Sequence, residues 1–210
     1  MGEPVNPCEL SFRESSLISG HGGHGSHNSC RHGRFVKWLL DDGKFTNLSG
    51  GSLGGGILDV GAGSGELSVR LSFCHNVKST TVDVRSVSHI NSLKKRVIPR
   101  LPKKWKERLC GKSDEDLELV CSLPGKMPTA IVSSFNSVED AEGNRDIIEA
   151  VRECSVIIGM HADGATDPVV DVALKYNKVS TAQTEHKTEH KTEQGSYFFY
   201  ARTQAAPASD

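Results

Sequence analysis

The sequence has no run of about 18 consecutive apolar residues, the least a membrane-crossing helix needs, so no membrane partner is expected. Its N-terminus, MGEPVNPCELSFRESS, carries acids and prolines where a secretory signal needs a basic start and an apolar stretch. Paired cysteines are lacking too. Cys8, Cys30, Cys74, Cys110, Cys121 and Cys154 are scattered, with no Cys-x-x-Cys. That distribution suits reduced thiols and an intracellular, cytoplasmic location better than a disulfide frame. Net charge is low as well, at −1, so any nucleic acid would have to be met by a local patch. Apolar residues are sparse at 36% against 21 glycines, which implies that part of the chain lies outside a packed core. At 210 residues there is room for one sizeable domain and little more.

The unpacked part is expected at the ends. Residues 1–29, rich in Ser, Gly, His and Asn, have no apolar period and read as a disordered tail. Residues 30–178 read as the domain, and residues 179–210 as a low-complexity tail. The repeat TEHKTEHKTEQ at 184–194 is a polar unit suited to solvent. One last strand is expected at 196–201, where Tyr197, Phe198, Phe199 and Tyr200 cluster.

Within the domain, Phe35, Val36, Trp38, Leu39 and Leu40 suit a buried helix face, which Gly43 would end. The run Ile57–Val60 reads as a buried strand, and Leu67 and Leu71 mark the following helix, with Cys74 a further inward position. Residues 79–84, STTVDV, are β-branched and predict a second strand. A third strand is expected at 129–133, a helix over Asp146–Cys154, and a fourth strand ending at Met160. A helix over Asp167–Tyr176 follows, with Thr166 as N-cap and Pro168 in its first turn. Strands alternating with helices imply an α/β fold: a Rossmann-like, doubly wound, mostly parallel sheet.

The chemistry-bearing stretch is Asp59-Val60-Gly61-Ala62-Gly63-Ser64-Gly65, at the junction of first strand and helix. Glycine there lets bare backbone approach a ligand and permits positive φ. The helix start adds free N–H groups and partial positive charge. A dinucleotide fingerprint needs a small residue where Glu66 stands, and a phosphate-binding Walker loop needs Gly-Lys-Ser/Thr, which is absent. The spacing Asp59, Gly61, Gly63, Gly65 fits S-adenosylmethionine better, with Asp59 facing its cationic methionyl part. Asp83 closes the second strand, where a carboxylate can accept hydrogen bonds from both ribose hydroxyls. These five residues are the expected cofactor-binding set.

After the fourth strand comes His161-Ala162-Asp163-Gly164-Ala165-Thr166-Asp167-Pro168. In such a sheet this loop faces the glycine turn, and His161 and Asp163 are the candidate catalytic residues. The imidazole suits orienting an acceptor or taking its proton; a loop-pinning role is the alternative for both. Asp167 reads as a helix-start residue.

Four stretches together resemble an uncharacterised class I S-adenosylmethionine-dependent methyltransferase-like family. They are Arg31-His32-x-x-Phe35-Val36-x-Trp38-Leu39, Leu58 to Ser68, Val82-Asp83-Val84-Arg85, and Gly159-Met160-His161-x-Asp163 through Leu174. The Gly-x-His core is also similar to a loop of transfer-RNA 2′-O-methyltransferase-like proteins. The resemblance spans about residues 31–178 and implies methyl transfer to an acceptor that it does not name. In that family a further strand and a Pro-Cys-Cys segment closely follow the last helix; here the TEHK repeat follows Lys178. Either the sheet is incomplete on its C-terminal side, or Tyr197–Tyr200 supplies the missing strand. A truncated, non-catalytic cofactor- or partner-binding domain is therefore the alternative reading.

Three weaker signals remain. His21, His24, His27 and Cys30 are spaced like metal ligands, but Gly and Ser between them pre-organise nothing, so no metal site is assigned. Residues 94–108 hold eight basic residues and one acid around Trp105, a strip suited either to RNA backbone or to a solvated connection. Pro99 and Pro102 argue against one continuous helix there. Glu139 and Asp140 could approach an adenine or sit exposed in a loop.

Overall fold

The computed structural model describes residues 31–41, 55–110, 113–123, 126–160, 164–185 and 196–201. The described chain forms two compact units. The first takes residues 31–41, 64–79 and 88–128; the second takes 55–63, 80–87 and everything described from 129 onward. Among the described residues no helix is long and apolar enough to cross a membrane.

The second unit is built on a sheet. Its strands are β1 (Ile57–Val60), β2 (Ser79–Asp83), β3 (Thr129–Val132), β4 (Val156–Met160), β5 (Val179–Glu185) and β6 (Ser196–Ala201). They lie in the order β3-β2-β1-β4-β5-β6. β2 pairs parallel with β3, β1 with β4, and β4 with β5; β6 joins antiparallel to β5. The chain winds outward from β1 to β3, then restarts at β4 on the other side of β1. This is the Rossmann-like order, with its switch point between β1 and β4.

Side-chain alternation along these strands explains the core. Leu58, Val60, Val82 and Ile157 are buried in one cluster with Ile147, Val151, Val169 and Val172. The latter four come from α7 (Arg145–Glu153) and α8 (Thr166–Lys175). Because successive strand residues point to opposite faces, Asp59, Thr81 and Asp83 turn to the other face. The start of β1 is pinned beside β4: Gly55 N donates to Ser155 Oγ at 3.1 Å and Ser155 N to Gly56 O at 2.9 Å. A Cβ on Gly55 would lie 2.3 Å from the Glu153 carbonyl oxygen, so no larger residue fits.

Local signals account for the helices. Asn144 caps α7 by accepting from Asp146 N and Ile147 N. Ser137 caps α6 (Val138–Gly143) through Asp140 N at 3.1 Å, while Asp140 accepts from Asn136 N. Glu139 and Asp140 are thus first-turn acids of a helix, which replaces the expected loop. The N-cap position of α8 is Ala165, with no side-chain cap, so Thr166 opens the helix itself.

The sheet does not stop after α8, and the strand expected at 196–201 forms, one place further out than expected. Val179–Glu185 is a fifth parallel strand, and Ser196–Ala201 adds beyond it as an antiparallel edge. Val179, Ser180 and Thr181 are buried beside β4. A polar-looking segment becomes a strand because β4 offers it a complete ladder.

The first unit is helical. It comprises α1 (Arg31–Asp41), α2 (Glu66–Val69) continued by a π-helical turn (Arg70–Cys74), and α3 (His89–Ser92). α3 continues as a π turn (Leu93–Val97) and a 3₁₀ turn (Ile98–Arg100) before α4 (Lys103–Cys110) and α5 (Asp114–Cys121). The 3₁₀ turn and the break before α4 fall at Pro99 and Pro102, which lack the N–H that would continue an α-helix. Val69, Phe73, Leu93, Val97, Ile98, Leu101, Leu109 and Leu117 form its core.

Candidate functional site

The glycine turn leaves β1 at Val60. Gly61, Gly63 and Gly65 all have positive φ, at 66°, 57° and 70°. Left-handed backbone costs other L-residues roughly 1–2 kcal/mol each, so the spacing of the three glycines is dictated by the turn's path. Gly61 N donates to Val82 O at 2.8 Å, which ties the turn to β2.

Asp83, the last residue of β2, meets the same turn. Its Oδ2 accepts from Gly63 N at 2.8 Å, and its Oδ1 accepts from Arg85 N at 2.9 Å. Arg85 Nε also reaches Oδ1 at 3.4 Å, from a side chain 77% exposed. Burial pushes the carboxyl pKa up. The hydrogen bonds from Arg85 N and Gly63 N, with the Arg85 guanidinium, outweigh it and hold the pKa below the ordinary aspartate value. Asp83 is only 7% exposed.

Among the described residues, a Cβ built on Gly63 meets nothing within 4 Å. Asp83, directly behind it, has about four acceptor positions. Two are held by backbone N–H groups and one by the mobile-ended Arg85 Nε. The free position, and the one under the exposed guanidinium, can serve a pair of vicinal hydroxyls.

The other sequence candidates are placed as follows. Asp59 is 1% exposed, one residue before the end of β1 and on the same sheet face as Asp83. Gly65 occupies the N-cap position of α2. His161 and Asp163 lie outside the described residues; the described chain resumes at exposed Gly164, with φ 84°. Met160, immediately before them, ends the strand beside β1, at the switch point that the glycine turn leaves. Asp167 is exposed in the first turn of α8. Among the described residues no three His, Cys, Asp or Glu are grouped to hold a metal; His21, His24, His27 and Cys30 lie outside them.

One cluster in the first unit was not anticipated. Glu66, with a side chain 1% exposed, accepts from Arg70 Nε at 3.2 Å and from Arg100 Nη1 at 2.5 Å. His32 Nδ1 lies 3.4 Å away and Arg96 Nη1 3.9 Å. Burial pushes the Glu66 pKa up, but the hydrogen bond and charge of His32, then Arg100 and Arg70, bring it down to about 2. The signal in the sequence was the Glu66–Arg70 spacing of one helical turn; Arg96 and Arg100 come from a segment with no periodic relation to it.

No family model and no curated protein sequence matches this chain. Several solved structures are similar at low identity. Magnesium protoporphyrin IX methyltransferase from Synechocystis PCC 6803 with bound SAH is 14% identical at a TM-score of 0.40, with 80% of this chain and 64% of that one covered. The same enzyme with bound SAM gives 13% and 0.40, covering 96% and 97%. YjhP from E. coli gives 14% and 0.38, covering 83% and 54%. The chain thus spans about two thirds or less of two of these three structures.

Proposed function

We propose that the chain binds S-adenosylmethionine at the glycine turn and transfers its methyl group to an acceptor, as an S-adenosylmethionine-dependent methyltransferase. The observation that carries this reading is the bond between Gly63 N and Asp83 Oδ2. It sets a depressed-pKa carboxylate beside a glycine on which a Cβ would meet no described residue. Such an arrangement suits a nucleoside: the glycine admits close approach, and the carboxylate accepts from ribose hydroxyls once Arg85 Nε swings away. When bound, the cofactor supplies an electrophilic methyl group on a sulfonium.

The chain's own contribution is mainly positioning. Gly61, Gly63 and Gly65 keep side chains out of the approach. Asp83 orients the ribose. Asp59, buried behind the turn, contributes negative potential toward a cationic ligand when ionised. His161 is assigned to orient the acceptor or take its proton, with Asp163 as its neighbour in the loop.

Calorimetry on the full chain with S-adenosylmethionine and S-adenosylhomocysteine tests this. Each charge-assisted hydrogen bond is worth about 1.5–3 kcal/mol, so Asp83→Ala should weaken binding by at least about tenfold. Asp83→Asn, which keeps the shape, should weaken it as well. No heat with either ligand removes the reading. His161→Ala should abolish methyl transfer while leaving cofactor affinity nearly unchanged; unaltered turnover would take His161 out of the mechanism.

A further inference from the structure

The charges around Glu66 do not balance. Arg70, Arg96 and Arg100 bring three permanent positive charges to one carboxylate, and His32 adds a titratable fourth group. Three guanidiniums offer about fifteen N–H donors against about four acceptor positions on Glu66. Arg70 is committed inward, its side chain 8% exposed. Arg96 is different: 50% exposed and 3.9 Å from the carboxylate, it keeps most of its donors turned to solvent.

The surplus continues along the surface of the same unit. Lys95 is exposed and has no ion pair among the described residues. Lys103 is exposed and has only the weak, solvent-screened pair with Glu107 at 3.8 Å. Among the described residues, Glu115, Asp116 and Glu118 of α5 supply ion pairs to none of Lys95, Arg96 and Lys103. Between residues 88 and 128 there are ten Lys or Arg against five Asp or Glu, although the whole chain carries a net −1. Beneath the strip, Val97, Ile98 and Leu101 are buried. The basic side chains at 95, 96 and 100 are thus mounted on packed backbone.

We propose that this strip, from Lys95 and Arg96 to Lys103, binds the phosphodiester backbone of a nucleic acid. Arg96 and Arg100 meet at Glu66, but Lys95 and Lys103 extend the bases along three successive helical segments, which suits a chain of phosphates better than one phosphate group. Glu66 is the anchor: it holds Arg100 and Arg70 in place and so fixes the course of the strip without cancelling its charge. The inference concerns the first unit alone and stands whether or not the second unit transfers a methyl group.

The test is fluorescence anisotropy of a fluorescein-labelled, mixed-sequence single-stranded RNA of about 20 nucleotides, titrated with the full chain over a salt series. The logarithm of the association constant should fall linearly with the logarithm of salt, by about 0.7 per phosphate contact. The triple variant Lys95→Gln/Arg96→Gln/Lys103→Gln should lower that slope by about 2 and weaken binding at least about tenfold at low salt, with an unchanged melting temperature to exclude misfolding. Arg145→Gln/Arg152→Gln, exposed bases of the second unit, should bind as the parent chain does. Four results would overturn the proposal. They are no binding at low salt, a triple variant with the parental slope, an equal loss in the Arg145/Arg152 variant, and displacement of RNA by inorganic phosphate beyond its effect as salt.

Discussion

Replacing Glu66 by glutamine removes one negative charge from a site holding three arginines and leaves its shape intact. The carboxylate is 1% exposed, and its pKa is brought from 4.5 to about 2. A depression of that size corresponds to about 3 kcal/mol of folding free energy at neutral pH. The sign follows from the direction. The folded-state value lies below the unfolded one, so the stabilisation is full above about pH 5 and fades as pH falls toward the folded-state value. Removing one partner of a buried pair costs a similar amount, about 3–5 kcal/mol, because the remaining charges lose their compensation. Urea denaturation of parent and Glu66→Gln chains from pH 7 to pH 3 reads both effects. The variant should be less stable by about 3 kcal/mol at pH 7, and its loss on acidification to pH 3 should be smaller than the parent's by about 2 kcal/mol. A Glu66→Gln chain as stable as the parent at pH 7 refutes the reasoning. So does one that loses the same stability on acidification.

Two further expectations concern smaller features. Asn144→Ala removes the α7 cap bonds to Asp146 N and Ile147 N, together with the Nδ2 bond to Ser133 Oγ. It should cost about 1–2 kcal/mol in thermal unfolding, with Asn144→Ser restoring most of it; an unchanged melting temperature would rule the cap unimportant. Burial pushes the thiols of Cys121 and Cys154 up to about 11. At pH 8 roughly one in a thousand is thiolate, so iodoacetamide should label both slowly in the folded chain and rapidly in urea, as read by peptide mass spectrometry. Fast labelling of the folded chain would contradict the burial of Cys154 and the half-burial of Cys121.

Much of the fold was legible because it rests on local chemistry. The apolar run Ile57–Val60, the β-branched run around Val82 and the run ending at Met160 each carry one signal, hydrophobicity at strand length. Each became a strand. The helix starts were equally local. Ser113 and Asp116 form a reciprocal cap at α5, and at α6 Ser137 accepts from Asp140 N while Asp140 accepts from Asn136 N. Both stood in the sequence as Ser-x-x-Asp and went unread. β5 was different. Its segment, VSTAQTE, has no apolar run, and it is a strand because the edge of β4 leaves a row of unsatisfied backbone groups that pairing completes. Such a gain exists only once β4 is in place, so no window of sequence can display it.

The candidate site divides along the same line. From sequence alone came the three glycines and the acid at the end of β2, because residue type sets which backbone can turn left-handed and which side chain can accept from a hydroxyl. Only tertiary structure decided what Asp83 does in the folded chain. It spans from Gly63 N to Arg85 N, a contact 20 residues long in sequence, and is held ionised by those two donors. Tertiary structure likewise decided that Glu66, which sequence reading counted only as the wrong residue for a dinucleotide fingerprint, is a buried anchor for Arg70, Arg96 and Arg100. The physical reason is common to both. A residue's chemistry is intrinsic, but its pKa, its partners and its exposure are set by neighbours that the chain delivers only after folding.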